Sequence, residues 1–262
     1  MQDYGLVTII TPTWACGQFI AETIRSVMAQ TYQNWELLIQ DDCSMDNTKD
    51  VVEKFIAENP ELKDKIKYEC NTKNSGAAIT RNNALRRAKG RWIAFLDSDD
   101  LWLPEKLEKQ LRFMVENAYH FSYTAYKEID NDSRGIGVEI HGPKQVSKLG
   151  MFAFCWPGCL TVMYDCEAVG LVQIADIKKN NDYAMWLKVC RKADCHLLDE
   201  VLARYRRGRV GSVSTHGYTT MIRWHYKLWH EAEGMNAVAS IFWTCMNLVC
   251  GVYKKIIYVR KI

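Results

Sequence analysis

Three short polar clusters, each placed just after an apolar run, hold the residue types that could do chemistry. Asp97-Ser98-Asp99-Asp100 follows the run Arg91–Leu96. Two carboxylates either side of one residue at a strand end can face the same cavity, and carboxylate oxygens suit a hard cation such as Mg²⁺ or Mn²⁺. Such a cation bridges a diphosphate and stabilises the charge that develops on it as a leaving group. The same residues also read as a helix N-cap before Leu101-Trp102-Leu103-Pro104, and the cluster alone leaves both readings open. Asp41-Asp42-x-Ser44-x-Asp46 follows the run Trp35–Gln40. A carboxylate there can accept a hydrogen bond from a nucleobase imino group or a ribose hydroxyl, or cap the next turn. Thr11-Pro12-Thr13-Trp14 places an indole where it can stack on a base or join a core. There is no G-x-x-x-x-G-K-[ST], so this is not a P-loop, and the first turn lacks the G-x-G-x-x-G of a dinucleotide dehydrogenase.

The elements that must position these clusters follow from periodicity. Leu6–Thr11 is an apolar, β-branched run closed by Pro12 and predicts a buried strand. Phe19, Ile20, Ile24, Val27 and Met28 recur at helical spacing, as do Val51, Val52, Phe55 and Ile56 within 47–58. Trp35–Gln40, Lys65–Glu69 and Arg91–Leu96 are further strands, and Asn74-Ser75-Gly76 is a turn before a helix at Ala77–Ala88. The order β-α-β-α-β-α-β over about 100 residues predicts an α/β fold with a mainly parallel sheet and helices on both faces. In such sheets ligands bind outside the carboxyl ends of the strands, where all three clusters would converge.

The later chain is less regular. Pro104–Asn117 predicts a helix and Phe121–Ile129 a strand, while Asp130–Lys148 is polar and reads as a loop. Leu160–Tyr164 predicts a strand, Asp182–Arg191 a helix, and His196–Tyr205 is mixed. His216–Glu233 and Asn236–Ile257 read as two terminal helices.

Composition bounds the function classes. The chain has 262 residues, 48% hydrophobic and 25% charged, which is ordinary for a soluble globular protein and excludes disorder and a polytopic membrane protein. The net charge of +3 is unevenly spread: residues 206–262 carry nine Lys or Arg against Glu231 and Glu233. A basic excess at one end, outside the main domain, points to a local anionic partner such as a lipid surface rather than to nucleic acid. None of the ten cysteines stands in a C-x-x-C pair, so they read as reduced thiols of a cytoplasmic protein. Met1–Gly5 has no basic, apolar leader pattern, so no signal peptide is expected.

The stretches VTIITPTW, QTYQNWELLIQDDCSMDNT, NSGAAITRNNAL and GRWIAFLDSDDLWLPEKL, in that order, resemble a family 2 glycosyltransferase of the GT-A fold, and NNDYAMWLKV and RYRRGRVGSVS resemble its acceptor-side motifs. The resemblance spans about residues 6–215. It implies a GT-A domain over 1–215, with a nucleotide-sugar half at 1–110 and an acceptor half at 111–215, followed by a C-terminal helical segment at 216–262. It implies that Thr11, Pro12 and Trp14 line a uracil pocket, that Asp42 contacts the uracil imino group, and that Arg81, Asp97 and Ser98 lie at the donor nucleotide. Asp99 is then the stronger metal ligand, with Asp97 either beside it or on the ribose, and the cofactor is Mn²⁺ or Mg²⁺. Asp182 is the general base; Asn181 stands where the family usually has Glu. Arg206 and Arg209 are candidates for a flap over the donor phosphates.

The resemblance implies an inverting transfer of a hexose-type sugar from a UDP-sugar to a hydroxyl of a saccharide acceptor, by a single displacement without a covalent sugar–enzyme intermediate. The acceptor would be linked to a polyprenyl diphosphate, in capsule, O-antigen or exopolysaccharide synthesis at the inner face of the plasma membrane. A nucleotidyltransferase is the other enzymatic reading, but the N-terminal region has no G-x-G-x-R-like loop; a non-catalytic nucleotide-sugar binder is the third. In the terminal helix, Val238, Ile241, Phe242, Cys245, Leu248, Val249, Val252 and Ile256 share one face. Its apolar run, residues 237–253, would extend about 25 Å as a helix, short of a bilayer core. With Lys254, Lys255, Arg260 and Lys261 directly after it, the run reads as an interfacial helix on an anionic membrane, with a helix packed on the domain or against another copy as the alternative and a spanning helix as the third reading.

Overall fold

The computed structural model describes residues 2–208 and 218–262. The first part of the chain runs β1 (Val7–Thr13), α1 (Ile20–Met28), β2 (Trp35–Asp41), α2 (Thr48–Glu58), β3 (Ile66–Cys70), α3 (Ala77–Leu85) and β4 (Trp92–Phe95). It continues through β5 (Leu101–Trp102), α4 (Lys106–Glu116), β6 (Phe121–Ile129), β7 (Gly135–Ile140), β8 (Gln145–Val146), α5 (Lys148–Ala153), β9 (Met163–Asp165), α6 (Cys166–Val169) and α7 (Asn181–Val189). It ends with β10 (Cys195–Arg206), α8 (Tyr218–Lys227), α9 (Ala237–Ile257) and β11 (Val259–Lys261).

Strand order is β11-β7-β6-β9-β4-β1-β2-β3. The pairs β4–β1, β1–β2 and β2–β3 are parallel. Their side chains alternate between two apolar layers, because successive residues of a strand point to opposite faces. Ile9, Leu37, Ile39 and Ala94 pack with Ile24 of α1, Phe55 of α2 and Leu107 of α4. Ile10, Leu38, Ile93 and Phe95 pack with Leu85 of α3 and Trp186 of α7. Burial on both faces is why β1, β2 and β4 read as apolar runs, while β3, at the sheet edge, is largely exposed.

β1 extends through Pro12, where the sequence reading ended it. The carbonyl of Ile10 accepts from Leu96 N, so Ile10 faces β4. Pro12, two residues on, faces the same side beyond the end of β4 at Phe95, where a missing N–H leaves no ladder partner unpaired.

Past β4 the sheet turns mixed, which qualifies the expected mainly parallel arrangement: β9 is antiparallel to both β4 and β6, and β7 is antiparallel to β6. Asp130–Lys148 is not the expected loop, since it contains β7 and β8. β7 is mostly exposed or half-buried and includes two glycines, so it carries no apolar alternation; its pairing with β6 and β11 defines it. The mixed stretch at 196–205 is part of the 12-residue β10, parallel to β6. Register shifts between Leu198 and Ala203 break its period of two. The expected strand at Leu160–Tyr164 is a 3₁₀ turn at Cys159–Thr161 followed by β9.

Candidate active site

The carboxyl ends of β1, β2 and β4 bring the three clusters to one edge of the sheet, as the parallel order requires. In the first cluster only Trp14 is presented to solvent, at 51% exposure. Thr11, Pro12 and Thr13 are buried beneath it. The chain turns sharply after Trp14: Ala15 has φ 48°, and its N–H donates to Ser44 Oγ at 2.8 Å, tying the β1 loop to the β2 loop.

Asp42 is buried, and its carboxylate already accepts three hydrogen bonds. Ser75 N and Asn71 Nδ2 donate to Oδ1 at 2.7 and 2.8 Å, and Gly76 N donates to Oδ2 at 2.7 Å. The carboxylate therefore holds the Ser75-Gly76 turn that opens α3. Gly76 adopts φ 84°, open to glycine without steric cost. Of about four acceptor positions on a carboxylate, at most one remains for a nucleobase. Asn71, which the sequence reading missed, is the hub here: it donates also to Thr80 Oγ1 and accepts from Gln40 and Asn83. A single Asn in a polar run carries no signal of that role.

At the end of β4, Asp97 and Asp99 are half-buried while Ser98 and Asp100 are buried. Ser98 serves the fold through its carbonyl, which accepts from Thr23 Oγ1 at 3.0 Å. Burial, reinforced by Asp99 and Asp97, pushes the Asp100 carboxyl well above the usual carboxylate range, and its Oδ1 accepts from the Arg206 N–H at 2.8 Å.

Arg81, on α3, connects this loop to the helix of the expected base. Its Nη2 donates to Asp97 Oδ1 at 2.5 Å and its Nη1 to Asn181 Oδ1 at 2.9 Å. Burial works against its charge, but Asp97 and Asp182 among its neighbours outweigh burial and hold the guanidinium protonated. Asp182 is the second residue of α7 and accepts from Tyr183 N at 2.8 Å. The residue before α7, Asn180, is left-handed at φ 57°. Burial raises the Asp182 pKa, with Arg81 opposing and Asp97 adding to the rise. A raised carboxylate is better matched to accepting a proton near neutral pH. Cys159 lies in the same field, beside Arg81, Asp97 and Asp182; burial pushes its thiol well up, so it is a neutral wall of the site.

Arg206 is not placed as expected. Its side chain is fully buried and all five N–H donors are spent inside the protein: on Asp99 O, on Asp130 O and Asn131 O, and on Glu22 Oε2 and Ser133 Oγ. It braces the acidic loop from behind and has no free donor for a phosphate. Arg209 lies outside the described residues.

Among the described residues no three His, Cys, Asp or Glu side chains form a metal-binding group. Asp97 and Asp99 would still suit a hard cation, because both offer carboxylate oxygens within reach of solvent at one strand end. Asp97 Oδ2 is the oxygen left for this role, since Oδ1 takes Arg81.

A parallel half-sheet with acidic strand ends, joined through Arg81 to Asn181 at the start of the helix that carries Asp182, is set in a mixed α/β fold of GT-A type. The chain belongs to glycosyl transferase family 2, whose model matches residues 8–162. It is 40% identical over 202 residues to TuaG of Bacillus subtilis, named as a teichuronic acid biosynthesis glycosyltransferase, covering 77% of this chain and 79% of that one. It is 35% identical over 256 residues to WfgD of Escherichia coli, a UDP-Glc:α-D-GlcNAc-diphosphoundecaprenol β-1,3-glucosyltransferase, covering 97% and 96% of the two chains. The mannosyltransferase PcManGT of Pyrobaculum calidifontis, solved with GDP-Man and Mn²⁺, superposes with a TM-score of 0.65 over 95% of this chain and 75% of that chain at 16% identity. At that identity the likeness is one of fold.

Proposed function

We propose that this glycosyltransferase moves a hexose-type sugar from a UDP-sugar to a hydroxyl of a lipid-linked saccharide, with inversion at the anomeric carbon. The observation that carries the reading is the Arg81 bridge from Asp97 to Asn181, which makes the donor-side acid and the helix of Asp182 one hydrogen-bonded unit. The donor and acceptor named for WfgD support the choice of UDP-sugar and lipid diphosphate.

In this reading Asp182 takes the proton of the acceptor hydroxyl. The hydroxyl oxygen forms a bond to the anomeric carbon as the bond from that carbon to the diphosphate oxygen breaks. The electron pair leaves with the diphosphate. A single base and a single displacement give one inversion. Trp14 stacks on the uracil, and the remaining acceptor position of Asp42 takes its imino proton. Asp99 with Asp97 would hold Mg²⁺ or Mn²⁺, whose chemistry is to neutralise charge on the departing diphosphate. In this reading residues 1–110 carry the donor and residues 111–215 shape the acceptor side.

Membrane contact belongs to the same reading. The apolar run lies within the 21-residue α9 (Ala237–Ile257), the helix expected at Asn236–Ile257, and by length and composition α9 could cross a membrane. Its polar residues are the buried ones, however, so we assign α9 to the surface of the cytoplasmic leaflet, apolar face outward.

Calorimetric titration with UDP, GDP and dTDP, each with Mn²⁺ and with chelator, tests the donor assignment. Metal-dependent binding of UDP, lost in Asp99→Ala, is the expected result. A folded protein that binds none of the three nucleotides overturns it.

A further inference from the structure

α9 is packed inside out. Ser240, Thr244, Asn247, Gly251 and Lys254 recur at intervals of four and three, the spacing of a helix seam, and this small and polar stripe faces the protein. Ser240, Thr244 and Asn247 are buried. Asn247 Nδ2 donates to Ala153 O at 2.7 Å, Phe152 O at 3.0 Å and Tyr183 Oη at 3.2 Å. A Cβ on Gly251 would stand 3.1 Å from the Phe154 ring. Lys254, expected among the basic anchors, turns inward: its ammonium donates to Trp156 O at 2.7 Å, and burial pulls its pKa down to about 8. The opposite face carries Ile241, Phe242, Val249, Val252 and Ile256, each more than half exposed.

Between this helix and α8 runs an open groove of about 460 Å³. Ile222, Arg223 and Tyr226 line it from α8, and Ile241, Cys245 and Leu248 from α9. Among the described residues, Arg223 is the one charged residue of the lining, with mainly apolar neighbours, which suits a long apolar chain ending in an anion. The groove also lies next to the catalytic helix. Thr244, in its lining, is three residues from Asn247, which bonds Tyr183; His225, beside Tyr226, packs edge-on against the Tyr183 ring with centroids 6.4 Å apart. Tyr183 directly follows Asp182.

We propose that the α8–α9 groove seats the lipid chain of the diphosphate-linked acceptor, with Arg223 meeting its anionic end. This rests on the reading of the chain as a transferase to a lipid-linked saccharide, and it assigns the chain-binding site that reading leaves open. A lipid held there would lie alongside the outward apolar face of α9, in the same leaflet, with the saccharide end toward Asp182.

Cys245 is exposed in the groove and reports on its occupancy. The test is the rate of Cys245 alkylation by N-ethylmaleimide in the full chain, read by peptide mass spectrometry, with exposed Cys70 as internal reference. Geranylgeranyl diphosphate below its micellar concentration should slow Cys245 labelling at least about fivefold and leave Cys70 unchanged. Inorganic diphosphate should protect neither. Ile222→Glu and Ile241→Glu alter exposed side chains, so the fold should survive, and each should abolish the protection while UDP binding is retained. Equal protection by inorganic diphosphate, or none by the prenyl compound, overturns the proposal. Protection that rises with protein concentration without lipid also overturns it and points to a second copy of the chain. Protection of Cys245 in a protein that binds no nucleotide would leave the groove standing and remove the transferase reading on which the acceptor assignment depends.

Discussion

Arg81 and Asn181, 100 residues apart in sequence, are joined by a 2.9 Å hydrogen bond from Nη1 to Oδ1. The bond fixes the start of α7 against α3 and sets the residue next to Asp182 in place. A Glu at 181 would give Arg81 a third carboxylate; Asn makes the hydrogen bond and leaves the arginine charge to Asp97 and Asp182. The neutral amide therefore joins α7 to α3 without adding negative charge beside Asp182.

Asp182→Asn should lower kcat by about 10²–10⁴-fold, the range for loss of a positioned general base, with donor affinity by calorimetry unchanged. It should not lower the melting temperature at neutral pH. The unfolded carboxyl titrates near about 3.9, and burial raises the folded value. Between the two the folded state binds more protons, so stability falls as pH rises through that window. The Asn variant is relieved of this cost above it. A clear fall in melting temperature at pH 7 would refute the assignment of the raised carboxyl.

The same shift gives the pH profile. Activity should fall as pH drops through the folded pKa of Asp182, at a pH above the range of an ordinary aspartate. In Arg81→Gln the limb should move to higher pH, because a cation that opposes the shift is gone. A limb that stays put, measured as kcat against pH, would separate Arg81 from the base.

Arg81→Ala should cost about 2–3 kcal/mol by denaturant unfolding, since it strands Asp97 and Asn181. Asn181→Ala should cost about 1 kcal/mol. The double variant should fall short of the sum, because each change removes the same bond. Strict additivity would mean that the bridge contributes nothing.

Arg206→Lys should behave almost as badly as Arg206→Ala. Lysine has three donors and no planar fork, and cannot replace five bonds to Asp99, Asp130, Asn131, Glu22 and Ser133. Both should lower the melting temperature together with activity. Arg207→Ala, whose half-exposed side chain pairs with Glu128 at 2.8 Å, should be far milder. A normally stable Arg206→Ala with weakened UDP affinity alone would restore the phosphate role expected from sequence.

Val249→Glu with Val252→Glu should abolish flotation with liposomes containing anionic lipid and leave UDP binding intact, since both side chains face outward. Wild-type protein that fails to float with such liposomes would remove the membrane assignment of α9.

The sequence alone determined the first half of the fold and the identity of the acidic clusters. Strands buried on both faces must be continuous apolar runs, and the parallel order forces their polar ends to one edge, so Trp14, Asp42, Asp97 and Asp99 were legible together. Asp182 was legible only through family resemblance, because nothing local separates a base from a helix-start aspartate. The tertiary structure alone decided what each polar group has left to offer. Asp42 looks like a free carboxylate in sequence but spends three of its acceptor positions on Ser75, Asn71 and Gly76. Arg206 looks like a solvated phosphate ligand but is consumed by five internal bonds. β7 and β10 were hidden because an exposed strand and a shifted register leave no period of two. The direction of α9 was hidden for a related reason: its two faces are readable as a pattern, but which one meets the protein depends on the carbonyls of Phe152, Ala153 and Trp156 that wait for Asn247 and Lys254. Hydrogen-bond partners distant in sequence leave no periodic trace, and they decide which side chains remain for function.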